Sequence, residues 1–327
     1  ASQVLPRIVA AGYRYQMFPT TRGWAEMMRQ DDLPRFAELE GSDIEQFMSP
    51  RDAAKSLVSG AGTSMRRPEE TSRWFSGVSE NILKHVREAE AAGASGNEAR
   101  STLTDLKILA GLAKYYSERL PAAVSYNLYR QTGDLSAFDA AIERERKAAA
   151  AWEEIVKAAG DVYAEDLAFG VHRVGFPRHW KEELQKLRQG LERLAAERRE
   201  ARAGGAVAPR PARPRTGDTQ PPRVRLEAAG QARPGQDLRV AARAEDPSGV
   251  KSMRLRYRRL TQFEDYQAAD MALDTKTGLY AARIPGDFIT PKWDLMYFVE
   301  AIDQRGNGRN YPDLEAEAPY AIISVVR

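Results

Sequence analysis

Two periodicities divide the chain. Upstream of about residue 200 the apolar positions recur at helical spacing. Ser49-Pro50 ahead of Arg51-Asp52-Ala53-Ala54 is a cap followed by proline at a first helical position, and Pro68-Glu69-Glu70 opens a second helix with acids at its positive end. From about Glu98 to Arg130 the residues Leu103, Leu106, Leu109, Ala110, Leu112, Ala113, Tyr116 and Leu120 cover most of the helix circumference, which predicts burial on more than one side. Pro121 is expected to kink or restart this helix, because it lacks the amide hydrogen and its ring crowds the preceding turn. The turn Thr132-Gly133-Asp134 leads into Leu135 to Ala159, where Phe138, Ile142, Ala149, Trp152, Ile155 and Ala159 share a face. The two segments form a helical hairpin. A last helix begins near His179, with Trp180, Leu184, Leu187, Leu191 and Leu194 on a heptad seam too short for a free coiled coil. It reads as a bundle helix.

Downstream the period is two. Leu238, Val240, Ala242 and Ala244 alternate with Arg239, Ala241 and Arg243. Met253, Leu255 and Tyr257 alternate with Arg254, Arg256 and Arg258, and Tyr280, Ala282 and Ile284 alternate with Ala281 and Arg283. With Arg223 to Glu227, Tyr266 to Leu273, Met296 to Ile302 and Ala321 to Val325 these make seven half-buried antiparallel strands, parted by turns at Asp246-Pro247-Ser248-Gly249, at Asp274 to Gly278 and at Asp303 to Asn307. Between the two regimes, Ala203 to Pro222 holds five prolines and three glycines and reads as an exposed linker. The expected organisation is therefore an all-α helical bundle over 1–202, a Pro/Gly/Arg-rich linker over 203–222, and a seven-stranded immunoglobulin-like β-sandwich over 223–327, a multidomain α and β chain.

Composition narrows the function classes. At 327 residues the chain exceeds what one core usually serves. There is no cysteine, so disulfides, thiolate nucleophiles and cysteine-ligated metals are excluded. The net charge of +3 is too small to mark a nucleic-acid binder, and no apolar run is long enough to span a bilayer. The sequence starts at Ala1 without a methionine or a signal segment, as expected of a processed or recombinant chain or a piece of a longer one. His172 and His179 bracket a stretch without an acid and lack the spacing of a zinc motif, so they read as imidazoles ordering a loop. No metal or other cofactor is expected. Asp303 and Asn307 have the residue types for calcium, but a hairpin closed by Gly306 accounts for them. No GxSxG elbow occurs, and Gly60-Ala61-Gly62-Thr63-Ser64 lacks the lysine of a phosphate loop.

The succession Asp246-Pro247-Ser248-Gly249-Val250, Leu255-Arg256-Tyr257-Arg258, Gly278 to Pro285, Tyr297 to Asp303 and Gly306-Asn307 resembles the immunoglobulin-like and fibronectin-III-like modules appended to bacterial extracellular enzymes and surface proteins. It covers the last third of the chain. The helical part, through Leu109 to Arg130 followed by Thr132-Gly133-Asp134, is similar to the bundle that follows the catalytic barrel in several multidomain bacterial glycoside hydrolases. The resemblance implies a secreted, periplasmic or cell-surface bacterial protein. It would be the non-catalytic C-terminal accessory region of a carbohydrate-active enzyme, with polysaccharide or oligosaccharide and an N-terminal catalytic domain as partners. The alternatives are a complete glycoside hydrolase or lyase and a cell-envelope glycan-binding scaffold.

Glycoside hydrolysis needs two carboxylates facing each other across the scissile bond. Glu40 and Asp43, in the acid-rich stretch beginning at Glu38, have the chemistry but no supporting strand ahead of them. The segment Tyr13 to Trp24 interleaves aromatics with Arg and Thr, so Tyr13, Tyr15, Arg22 and Trp24 are the candidate sugar-binding residues, the competing role being to plug the bundle. Arg254, Arg256 and Arg258 share a strand face, and Arg239, Arg243 or Arg283 join them if the strands are neighbours. Such a stripe suits an acidic polysaccharide unless adjacent acids neutralise it.

Overall fold

The computed structural model describes residues 1–12, 33–38, 40–160, 162–164, 179–201 and 217–326. The chain divides into two compact units, Ala1–Ser59 with Arg66–Pro211 and Gly60–Met65 with Ala212–Arg327. The first contains seven helices among the described residues: α1 (Val4–Gly12), α2 (Leu33–Phe36), α3 (Pro50–Ser59), α4 (Pro68–Ala91), α5 (Asn97–Thr132), α6 (Leu135–Ala159) and α7 (Trp180–Glu200).

Local chemistry sets the helix ends. Ser49 Oγ accepts from the Asp52 amide at 3.1 Å and caps α3, and Glu70 folds back to accept from the Arg67 amide at 2.9 Å at the start of α4. Asp134 caps α6 by accepting from the Ser136 amide at 2.8 Å. His179 caps α7, its Nδ1 accepting from the Lys181 amide at 3.2 Å, so this imidazole does order a chain entry.

α5 is the axis of the unit, packing on α1 through α4 and on α6. It runs through Pro121 as one helix, so the restart that the sequence allowed does not occur. The carbonyl that Pro121 leaves without an amide partner belongs to Ser117, and Ser72 Oγ of α4 donates to it at 2.5 Å. A hydroxyl from another helix replaces the lost bond. Close approach of α5 to α6 depends on Gly111, where a Cβ would lie 2.4 Å from Ile155 Cγ1. The face of α6 read from sequence is buried in full, with Trp152 donating from Nε1 to the Trp180 carbonyl at 2.9 Å.

The second unit holds nine strands among the described residues: β1 (Arg223–Leu226), β2 (Leu238–Glu245), β3 (Val250–Arg259), β4 (Gln267–Asp270), β5 (Ala272–Asp274), β6 (Leu279–Ile284), β7 (Leu295–Asp303), β8 (Gly308–Tyr311) and β9 (Ala321–Ile323). They form two antiparallel sheets, ordered β1-β2-β6-β5 and β4-β3-β7-β8, with β9 also on β7. Val240, Ala242, Ala282 and Ile284 of one sheet share a core with Met253, Leu255, Tyr297 and Val299 of the other.

The count of seven strands is therefore corrected to nine, for two reasons. The segment read as one strand over Tyr266 to Leu273 breaks at Met271, which is buried and donates its amide to Met253 O at 3.0 Å while the chain passes from one sheet to the other. Gly308-Arg309-Asn310-Tyr311 has no apolar alternation, yet it pairs with β7 because the preceding turn returns it there. Gly60–Met65, read from sequence as part of the helical domain, lies against this second hairpin. A Cβ on Gly308 would stand 2.4 Å from the Thr63 carbonyl oxygen, so the glycine admits the backbone of this segment.

Candidate functional site

Tyr13, Tyr15, Arg22 and Trp24 lie outside the described residues, as does His172. The candidate acids can be placed. They sit between α2 and α3, where Ser42 and Asp43 donate their amides to Val9 O and Ala10 O and so dock the segment on the end of α1. Glu40 makes an ion pair with Arg51 at 3.5 Å. Asp43 starts a turn, its Oδ1 accepting from the Gln46 amide at 3.3 Å. Burial pushes its carboxyl above the ordinary aspartate range, and the Gln46 and Glu45 amides and the Arg7 charge oppose that shift without reversing it. A carboxyl whose pKa is raised in this way is better suited than an ordinary aspartate to donate a proton. The neighbouring Glu38 is occupied by Arg130 at 2.7 Å.

On the sandwich, the arginine stripe divides. Arg254, Arg256 and Arg258 are on the outer side of the β3-β7 sheet, and adjacent groups engage them. Glu300 of β7 pairs with Arg254 at 3.1 Å and with Arg256 at 3.2 Å. Arg258 lies 4.8 Å from the Tyr266 ring centre and donates from Nη1 to the Glu264 carbonyl at 3.2 Å. Arg239, Arg243 and Arg283 do not join them, because β2 and β6 belong to the other sheet.

One group of side chains could hold a metal among the described residues. Asp218, Asp246 and Asp303 each offer a carboxylate oxygen, and these oxygens lie within 4.8 Å of one another. Asp303 is fully buried and accepts from the Asn307 amide at 2.8 Å and from Asn307 Nδ2 at 2.6 Å. Asn307 Nδ2 also donates to the Asp218 carbonyl at 3.1 Å. Ser248 donates its amide and hydroxyl to Asp246 Oδ1 at 2.8 and 2.7 Å. The second carboxylate oxygens of Asp218 and Asp246 are shielded from solvent and accept no hydrogen bond among the described residues. An all-oxygen set of this kind matches a hard cation such as calcium and not zinc. The turn at Asp303 was legible as a hairpin. Its meeting with Asp218 and Asp246 was not, because those residues stand far away in sequence.

Phe263, in the β3–β4 connection, is the most exposed large apolar side chain among the described residues at 84%. Nothing in the alternation pattern marks it, since it lies in a loop.

No family model matches this sequence, and no curated protein matches it. Among solved structures it is similar to a GH138 enzyme targeting pectin rhamnogalacturonan II, with 15% identity and a TM-score of 0.43 over 53% of this chain and 27% of that one. It is also similar to wild-type OgpA from Akkermansia muciniphila, with 9% identity and a TM-score of 0.25 over 65% of this chain and 51% of that one. The chain thus spans about a quarter of the first structure and half of the second. Among the described residues no helix is long and apolar enough to cross a membrane.

Proposed function

We propose that this chain is the non-catalytic C-terminal accessory region of a secreted bacterial carbohydrate-active enzyme of the glycoside hydrolase type. In this role the chain supports the cleft of a catalytic domain on its N-terminal side and contacts the polysaccharide. The observation that carries the reading is the engagement of the two candidate acids: Glu40 is held by Arg51, and Asp43 is folded into its own turn. A glycosidase instead keeps two carboxyl groups about 5 Å apart for retention, or roughly 6.5–9.5 Å for inversion, open to the sugar between them. The two antiparallel sheets, ordered β1-β2-β6-β5 and β4-β3-β7-β8, support it further, since an immunoglobulin-like module is built of two such sheets. Such modules act as spacers and binding surfaces.

A second reading, a complete hydrolase or lyase, draws on the raised pKa of Asp43, which is the property of a general acid. Incubation of the full chain with a panel of polysaccharides separates the two. The accessory role requires binding without release of reducing ends or unsaturated products. Turnover abolished by Asp43→Asn or Glu40→Gln, with the fold intact, establishes the second reading and removes the first.

A further inference from the structure

The sheet ordered β1-β2-β6-β5 turns one side to the core and the other to solvent. Register places Arg225 of β1 directly opposite Arg243 of β2, and Arg239 of β2 directly opposite Arg283 of β6. Arg223, on the same side of β1, faces Glu245. All five arginines are exposed. Between the two arginine pairs Ala241 faces Ala281, which in turn faces Ala272 on β5, while on the β1 side the exposed Glu227 donates its amide to the Ala241 carbonyl at 2.9 Å. The face thus sets alanine methyl groups between guanidinium groups. Along β2 the four-residue step from Arg239 to Arg243 spans about 13 Å at the rise of a strand.

Folding alone does not explain this arrangement. Like charges directly opposite each other in an antiparallel sheet are destabilising. Charged side chains protect sheet edges from pairing with other chains, but β2 and β6 are interior strands of their sheet. Counter-charge is present but does not match the arginines one for one: Glu245 faces Arg223, and Arg239 acts electrostatically on Asp274 of β5. Arg283 has Asp237 at 3.7 Å, and Arg243 donates to the Thr277 carbonyl at 3.5 Å. Arg223, Arg225 and Arg239 make no ion pair among the described residues. The opposite sheet solves the same problem with Glu300.

We propose that this face binds a carboxylate-bearing polysaccharide, laid across the alanines with its uronate groups on the two arginine pairs. The proposal rests on the reading that the chain contacts polysaccharide, and adds the surface and the class of sugar. A guanidinium fork takes a carboxylate through two parallel hydrogen bonds, so arginine pairs favour uronates over neutral sugars. The methyl groups let the apolar side of a sugar ring approach the sheet. A nucleic acid suits the face poorly. Duplex DNA presents a charge every 1.7 Å or so of helix axis, and base stacking needs aromatic rings, whereas no strand position on this face is aromatic.

The test uses the full chain with polygalacturonate, its methyl ester as the uncharged counterpart, and a DNA duplex, titrated at low and high salt. The chain is expected to bind polygalacturonate, more weakly as salt rises, and to bind the ester far less. The double variant Arg225→Gln/Arg239→Gln should weaken polygalacturonate binding by roughly tenfold or more while its Tm stays level or rises, because two unfavourable charge pairs are relieved. Arg239→Lys, which keeps the charge and loses the fork, should fall between wild type and the double variant. Arg254→Gln, on the other sheet, should bind like wild type. Unchanged affinity in the double variant overturns the proposal, as does a fall in its Tm together with full affinity in Arg239→Lys, or tighter binding of the duplex than of polygalacturonate. Binding of the ester or of another polysaccharide that ignores these arginines overturns it too, yet leaves the accessory role standing. Product release from any polysaccharide removes the accessory role itself.

Discussion

Arginine is used in opposite ways in the two units. In the helical unit Arg119 is fully buried, with Glu145 of α6 at 3.4 Å and the Phe36 ring centre 4.8 Å from its guanidinium carbon. In the sandwich, Arg225 and Arg239 stand exposed on a sheet face without an ion pair among the described residues. Arg254 and Arg256 of β3 are intermediate, sharing one glutamate. Burial explains the contrast. A desolvated charge must be paired and hydrogen-bonded, so the interior commits an arginine to a fixed partner. On a solvated face water supplies the hydration, pairing is optional, and the guanidinium remains available to a ligand.

The comparison can be broken at its buried end first. Glu145→Ala leaves Arg119 charged inside the bundle and should cost about 3–5 kcal/mol of stability, read by denaturant unfolding with the sandwich signal as internal reference. A loss under about 1 kcal/mol would mean that the other contacts of Arg119 hold its charge unaided. Next in size is Glu300→Gln, which removes the shared counter-charge of Arg254 and Arg256. A loss of about 1 kcal/mol is expected at low salt, shrinking as salt screens the arginines. The same variant should give the β3 face some affinity for polygalacturonate, and its failure to do so would separate arginine availability from binding.

Asp43 tests the acid side. Its folded pKa lies above the unfolded value, so folding favours the protonated form. That contribution is present at acid pH and is lost as pH rises through the raised pKa. Asp43→Asn, which keeps an oxygen for the Gln46 amide, should therefore raise Tm modestly at neutral pH and match wild type at the acid end. A variant less stable than wild type at pH 7 would show that the Arg7 attraction outweighs burial. The smallest effect belongs to Arg225→Gln alone, within about 0.5 kcal/mol and not destabilising.

Much of the architecture was readable before any coordinates. The α5–α6 hairpin, the cap at Ser49, the buried faces of α6 and α7 and most of the strands follow from local spacing. The exceptions depend on partners distant in sequence. The continuity of α5 through Pro121 needs Ser72 on another helix. The break between β4 and β5 needs the opposite sheet to receive Met271. Of the candidate site, Glu40 and Asp43 were legible as acids, but Arg51 and the turn that engages Asp43 were not.

Backbone geometry makes a helix repeat at 3.6 residues and a strand at two, so which residues share a face is written in the sequence itself. Arg239 and Arg243 were bound to share a side of one strand, and so were Arg254, Arg256 and Arg258. Which of those sides acquired a glutamate and which stayed open was decided only in the tertiary structure. The partner of a strand residue is set by sheet order and register, and these depend on how separate segments bury their apolar sides together.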